Sequence, residues 1–247
     1  HAVGDAQGKI GTGALVAFGD KLSGYNLLTG AYSPFGEGND LYLTLDAHLN
    51  YVAYHALNGR KGAVGVYNYK TGEILCMVSN PSYDPADPPD IQEGDERYEG
   101  VYLNRFLSGT FVPGSVFKTV TLAAAVEHMP DLMSRTFTCT GSTLVGGEAV
   151  TCPGAHGELD IYGALASSCN GVFAQLGPEV MEAYTRKAGL TGSYRINGLS
   201  TAKGRFQFSG ATANQLGWAG VGQYNDLVNP CALMVYMGAI ASGGKAA

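Results

Sequence analysis

Between Gly114 and Val126 the chain carries one charged side chain, Lys118, among Val116, Phe117, Val120, Leu122, Ala123, Ala124, Ala125 and Val126. Pro113-Gly114 breaks the backbone just before this run, and the spacing predicts a helix from there to about Glu127. A helix that is apolar nearly all round has to be buried. An ammonium in that setting is costly unless it finds a partner or gives up its proton. Residues three apart on a helix share a face, with Cβ atoms about 5–6 Å apart, so Lys118 can reach the Ser115 hydroxyl. Desolvation favours the neutral amine, which can then take a proton from the serine. Ser115 at the helix N-terminus also lies where free N–H groups favour an oxyanion. The other outcome open to these residues is a lysine that snorkels to solvent and a serine that only caps the helix.

The Ser-x-x-Lys spacing occurs three times, at Ser115, Ser200 and Ser242, so context decides between them. Ser242-Gly-Gly-Lys245 rests on paired glycines, which hold a helical register poorly. Ser200-Thr-Ala-Lys203 leads into Gly204 with no apolar face around it. Only Ser115 stands on a segment that forces its lysine inward. A second candidate is Ser168-Cys169-Asn170, between two stretches with helical patterning. A hydroxyl and an amide two residues apart on a bend can face one cleft, the first relaying a proton and the second binding a peptide carbonyl. The same residues can also be a helix cap.

The 45% apolar content fills a core of ordinary size, while only 15% of residues are charged, below the usual ~25%. Glycine, at 36 residues, is about twice its ordinary share, so tight turns and close backbone approaches are expected. A net charge of −6 with no basic face argues against a nucleic-acid partner. No apolar run reaches the ~20 residues needed to span a bilayer. The chain opens on His1 rather than Met and shows no signal peptide, so it reads as a piece of a longer protein. Cys76, Cys139, Cys152, Cys169 and Cys231 form no C-x-x-C pair, which disfavours a zinc knuckle. They read as buried small hydrophobes, with a Cys139–Cys152 bridge as the alternative in an oxidising compartment. None of His48, His55, His128 and His156 shows ligand spacing, and no metal is expected.

Residues 1–36 are Gly-rich and aperiodic and read as an arm or small subdomain. Leu41, Leu43 and Leu45 alternate like a short strand, and Asp46 is a good N-cap for a helix from Ala47 to Leu57. Gly62–Tyr69 and Glu73–Val78 flank the turn Lys70-Thr71-Gly72 as a hairpin, with Gly72 at a positive-φ position. Residues 130–157 read as irregular. Helices are expected at Leu159–Ala166, Gly171–Ala188 and Pro230–Ile240, and short strands within Arg195–Phe208. Strands and helices mix without βαβ alternation, so the fold class is α+β, a mostly antiparallel sheet flanked by helices.

The motifs together resemble the transpeptidase domain of class B penicillin-binding proteins, for which S-x-x-K with S-D-N and K-T-G is the signature. Pro113-Gly-Ser-Val-Phe-Lys-Thr is similar to the family's P-G-S-T-F-K block, and Ser168-Cys-Asn-Gly-Val-Phe to its S-C-N-x-x-F block. Asn39-Asp-Leu-Tyr-Leu-Thr-Leu-Asp resembles the opening of the domain, and Lys70-Thr-Gly-Glu-Ile-Leu-Cys-Met-Val-Ser-Asn-Pro resembles a hairpin near it. Gly222-Gln223 followed by Asn229-Pro-Cys-Ala-Leu-Met resembles the G-Q-G…T-P-L-Q-M segment. Ser242-Gly-Gly-Lys resembles the A-N-G-G block after the late helix, and His1-Ala-Val-Gly-Asp the end of the pedestal module.

This resemblance implies a β-lactamase/transpeptidase-like fold, with residues 1–36 as the end of a non-catalytic pedestal or dimerisation module and 37–247 as the penicillin-binding domain. It implies an acyl-enzyme on Ser115, Lys118 as general base, Ser168 as proton relay and Asn170 as substrate-amide ligand. No cofactor is implied. The implied partners are peptidoglycan stem peptides, β-lactam antibiotics and other cell-wall synthesis proteins, at the outer face of the cytoplasmic membrane behind an N-terminal anchor helix. The family's third motif, K-T-G on the strand lining the cleft, lies beyond Ala247, so the C-terminal strands are expected to be missing and the chain's activity impaired. Lys70-Thr71-Gly72 is upstream of Ser115 and reads as a turn. A β-lactam sensor, a serine β-lactamase and a non-catalytic cell-wall scaffold stay open as alternatives, and a D,D-carboxypeptidase would differ only in using water to resolve the acyl-enzyme.

Overall fold

A computed structural model of the chain describes residues 1–26, 28, 30–32, 38–176 and 181–246. Two compact units are each assembled from separate stretches: His1–Gly109, Ser193–Ala202 and Asn229–Ala247 form the first, Thr110–Gly192 and Lys203–Val228 the second. The expected boundary at residues 36 and 37 lies outside the described residues. Among the described residues every strand pair is antiparallel, in five two-stranded ladders. No helix among them is long and apolar enough to cross a membrane.

In the first unit, α1 (Ala47–Leu57) starts where Asp46 accepts a hydrogen bond from the Leu49 N–H at 2.8 Å, the N-cap read from the sequence. Strand β1 (Gly62–Tyr67) pairs with β2 (Ile74–Asn80), and Gly72 in the turn between them has φ +80°. Gly65 has no substitute in β1, because a Cβ there would stand 2.0 Å from the Phe106 ring. The helix Pro230–Ala241 is capped by Asn229, whose Oδ1 accepts from Ala232 N. The same side chain donates from Nδ2 to the carbonyls of Phe106, Leu107 and Gly109 at 3.3, 2.8 and 2.9 Å. One amide thus satisfies backbone groups of two segments far apart in sequence. Leu41–Leu45 forms no strand; Leu41, Tyr42 and Leu43 are exposed. The segment is tied instead at its far end, by Thr44 Oγ1 to Ile74 O and Asp46 N to Leu75 O.

The second unit holds α2 (Lys118–His128), preceded by a 3-10 turn over Gly114–Phe117. The expected burial all round is half right: Phe117, Lys118, Val120, Thr121, Ala124 and Ala125 are buried, while Val116, Ala123 and Val126 face solvent. Residues 130–157, read as irregular, carry β3 (Phe137–Cys139), β4 (Ser142–Val145) and β5 (Glu148–Thr151), and β6 (Gly157–Leu159) follows. β3 pairs with β6 and β4 with β5. Strands of three or four residues are too short to show period-two alternation, and Gly146 and Gly147, both at positive φ, close the β4–β5 hairpin. Then come α3 (Ile161–Ala166), α4 (Asn170–Phe173), α5 (Met181–Lys187) and α6 (Ala213–Gly220). The single helix expected over residues 171–188 is broken: α4 ends at Phe173, residues 174–176 are turn and bend, and α5 is a separate helix beyond residues 177–180, which lie outside the described residues. The unit's core joins Ala125, Phe137, Val150, Ile161, Val172, Phe173 and Leu176.

Candidate active site

All four site residues singled out from the sequence fall in the second unit. Ser115 is exposed, on the 3-10 turn that leads into α2. In a 3-10 turn residues i and i+3 eclipse, so the turn aligns Ser115 with Lys118 more directly than an α-helix would. Gly114 enters the turn at φ +61° and its N–H donates to Gly222 O at 2.9 Å. Gly222, at φ +80°, is pressed so close that a Cβ would stand 2.3 Å from Gly114 O. These two glycines set where the Ser115 turn begins.

Lys118 does not snorkel; it is 1% exposed. Its Nζ lies 3.3 Å from Ser115 Oγ, 2.9 Å from Ser168 Oγ, 2.6 Å from Ser168 O and 2.7 Å from Asn170 Oδ1. The Phe173 ring centroid is 5.7 Å away. Burial pushes the amine below the ordinary lysine range, with the thiols of Cys152 and Cys169 acting in the opposite direction. A dry amine surrounded by oxygens is held ready to exchange a proton with a hydroxyl.

Ser168 and Asn170 reach this amine through the loop between α3 and α4. Ser168 N and Cys169 N bond back to Leu165 O and Ala164 O, ending α3, and Ser168 takes φ +52°. That left-handed conformation costs a non-glycine residue about 1–2 kcal/mol, and it aims the Ser168 carbonyl and hydroxyl together at Lys118. Asn170 Nδ2 donates to Thr151 O at 2.9 Å, which turns Oδ1 toward Lys118. Close packing of α4 on β4 requires Gly171, where a Cβ would stand 2.4 Å from Thr143 Oγ1. The other two Ser-x-x-Lys spacings form no such pair: Ser200 lies in a two-residue strand and Ser242 caps the helix Pro230–Ala241.

Cys139 and Cys152 are not bridged; all five thiols are free. His156, which shows no ligand spacing along the chain, stands beside Cys139, Cys152 and Cys169, with one potential donor atom from each of the four within 4.8 Å of the others. Linear spacing hides this group because strand register makes it. Cys139 faces Gly157 across the β3–β6 ladder, Cys152 follows the end of β5, and Cys169 is the N-cap of α4.

Residues 62–247 match the model of the penicillin-binding protein transpeptidase domain. The chain is 35% identical to stage V sporulation protein D of Bacillus subtilis over 158 residues, which cover 59% of this chain and 23% of that protein. It is 31% identical to the peptidoglycan D,D-transpeptidase PbpA of Mycobacterium tuberculosis over 219 residues, 74% of this chain and 41% of that protein. The chain thus spans less than half the length of these curated relatives. The imipenem acyl-enzyme complex of penicillin-binding protein A from M. tuberculosis superposes with a TM-score of 0.79 at 26% identity, over 95% of this chain and 61% of that one. The family match takes in the buried lysine, the serine one turn before it and the strained serine that faces the lysine, and on that match the chain belongs to the penicillin-binding protein transpeptidase domain family.

Proposed function

We propose that this chain is the acyl-transfer portion of a serine D,D-transpeptidase that cross-links peptidoglycan stem peptides and is acylated by β-lactams. The observation that carries the reading is the buried Lys118 amine, 3.3 Å from the Ser115 hydroxyl. Ser115 attacks the penultimate D-Ala carbonyl of a stem peptide, Lys118 takes its proton, and the terminal D-Ala leaves. Ser168 passes a proton between Lys118 and the leaving amine, and Asn170 binds the substrate amide. A neighbouring stem's amino group then resolves the acyl-enzyme. The relatives named as peptidoglycan D,D-transpeptidases and the neighbour solved as a β-lactam acyl-enzyme support this assignment. In the same reading residues 1–36 close a pedestal module, other cell-wall synthesis proteins are partners, and the protein works at the outer face of the cytoplasmic membrane, held by an N-terminal anchor helix.

A fluorescent penicillin tests the reading on the protein that carries this sequence. A stable covalent label mapping to Ser115, and absent from Ser115→Ala, is expected. Rapid release of the label would make the protein a β-lactamase, and a folded protein that never labels would be a scaffold.

A further inference from the structure

The four-residue group beside the Ser168–Asn170 turn has the donors and the geometry of a metal centre. Cys139 and Cys169 are buried, and Cys152 and His156 are half-buried. Cys152 Sγ and Cys169 Sγ are 3.7 Å apart, and Cys139 Sγ is 3.4 Å from His156 Nδ1. A tetrahedral zinc with Zn–S about 2.3 Å and Zn–N about 2.0–2.1 Å has S···S edges of about 3.8 Å and S···N edges of about 3.5 Å. Two opposite edges of the tetrahedron therefore already have their liganded lengths. The Gly171 N–H donates to Cys152 Sγ at 3.3 Å, the kind of outer contact that anionic sulfur ligands receive. Ordinary packing of small hydrophobes explains a buried thiol, but not three thiols and an imidazole nitrogen meeting at one point from the ends of separate strands and a helix.

We propose that Cys139, Cys152, His156 and Cys169 form a Cys3His site for Zn2+, and that the bound ion braces the Ser168–Asn170 turn. Three thiolates and one imidazole favour zinc over hard cations, and four protein donors fill the tetrahedron, so the site is structural and leaves no position for substrate. Binding displaces the three thiol protons to solvent, and His156 coordinates through neutral Nδ1. Cys169 is bonded on one side to Ser168, held at φ +52°, and on the other to Asn170. An ion that fixes Cys169 thus fixes the two side chains that face Lys118. The site itself stands apart from the transpeptidase reading; its effect on acylation rests on that reading.

The test uses the protein that carries this sequence, purified under reducing conditions, with Zn2+ and Co2+ as probes. One zinc per chain by plasma mass spectrometry is expected, and Co2+ should give intense tetrahedral d–d bands with thiolate charge transfer. Cys139→Ser should lose both, and Cys76→Ser, in the other unit, should keep both. Should Cys139→Ser fail to fold, the wild-type cobalt spectrum decides alone. A folded, reduced wild-type chain that takes up no metal, or gives only weak octahedral bands, overturns the site. So does purification with a Cys152–Cys169 disulfide and no metal uptake after reduction. Stripping zinc should slow penicillin acylation of Ser115 about tenfold, reversibly on adding Zn2+ back. An unchanged rate overturns the bracing role, whereas zinc-loaded protein that is never acylated counts against the transpeptidase reading and leaves the site intact.

Discussion

Lys118 is tied to Ser168 through two atoms at once: its Nζ donates to the Ser168 carbonyl at 2.6 Å and lies 2.9 Å from the Ser168 hydroxyl. A neutral amine has two N–H donors and one lone pair. The Ser168 carbonyl and Asn170 Oδ1 can only accept, so they take both donors. The lone pair is left for a hydroxyl, and the two within reach belong to Ser115 and Ser168. In the proposed reaction this geometry aims a neutral Lys118 to collect a proton from one serine and exchange it with the other.

Lys118→Arg should therefore fail as a replacement, since a guanidinium keeps its proton. Penicillin acylation of Ser115 is expected to fall by about 10²–10⁴-fold, with the folded state retained by circular dichroism. In the wild type the acylation rate should rise with pH and level off before the ordinary lysine range. An amine acting as the base works only when unprotonated, and burial lowers the pKa of this one. A rate that goes on rising through the ordinary lysine range, or that falls as pH rises toward it, would assign the proton transfer elsewhere.

Ser168 separates strain from chemistry. Ser168→Gly and Ser168→Ala both remove the hydroxyl, but only glycine adopts φ +52° freely. The glycine variant should be about 1 kcal/mol more stable than the alanine variant in denaturant titrations. Both should acylate slowly. Equal stability would mean that the left-handed turn relaxes when the hydroxyl is gone.

Ser115 and Lys118 are legible in the sequence because one helical turn relates them and an apolar run forces the lysine inward. Ser168 and Asn170 are about fifty residues further on, and only motif similarity connects them to Lys118 in advance. The Cys–His group was missed for the same reason in stronger form. Its members meet through the register of short strands that lack periodic patterning, and reading intervals along the chain cannot reveal them. The alternation at Leu41, Leu43 and Leu45 misled in the opposite direction, since alternation predicts a strand only where a neighbouring strand supplies a ladder.

Gly222 should be irreplaceable for a backbone reason. Gly222→Ala places a methyl 2.3 Å from Gly114 O on a residue at φ +80°. The backbone conformation alone costs about 1–3 kcal/mol, and relief of the clash must move the turn that carries Ser115. Thermal unfolding should shift downward and acylation should slow together. Gly11→Ala, with open space around its Cβ position, should change stability by less than about 0.5 kcal/mol.

Asp226 predicts a pH dependence of stability. Its side chain is fully buried, Oδ2 accepts only a long bond from Tyr224 N at 3.3 Å, and Oδ1 has no partner among the described residues. Burial pushes its carboxyl from 3.8 up to about 7, against the weaker pull of the Tyr224 N–H. A raised carboxyl pKa means that the native state holds a proton which the unfolded chain has released. This contribution is therefore complete below about pH 4 and is lost as pH rises to about 7, where the native carboxyl ionises without a partner. Asp226→Asn keeps the shape and cannot ionise, so its advantage over wild type should grow across that interval to roughly 2–4 kcal/mol. Asp5, Asp95, Glu99, Glu127 and Asp131 have lowered pKa values and gain stability as pH rises, so the raw profile mixes both signs. The measurement is the difference between wild type and variant in urea titrations at each pH, in which those carboxylates cancel. A difference that stays constant from acid to neutral pH would mean that Asp226 is already ionised in the folded protein and has found a cation.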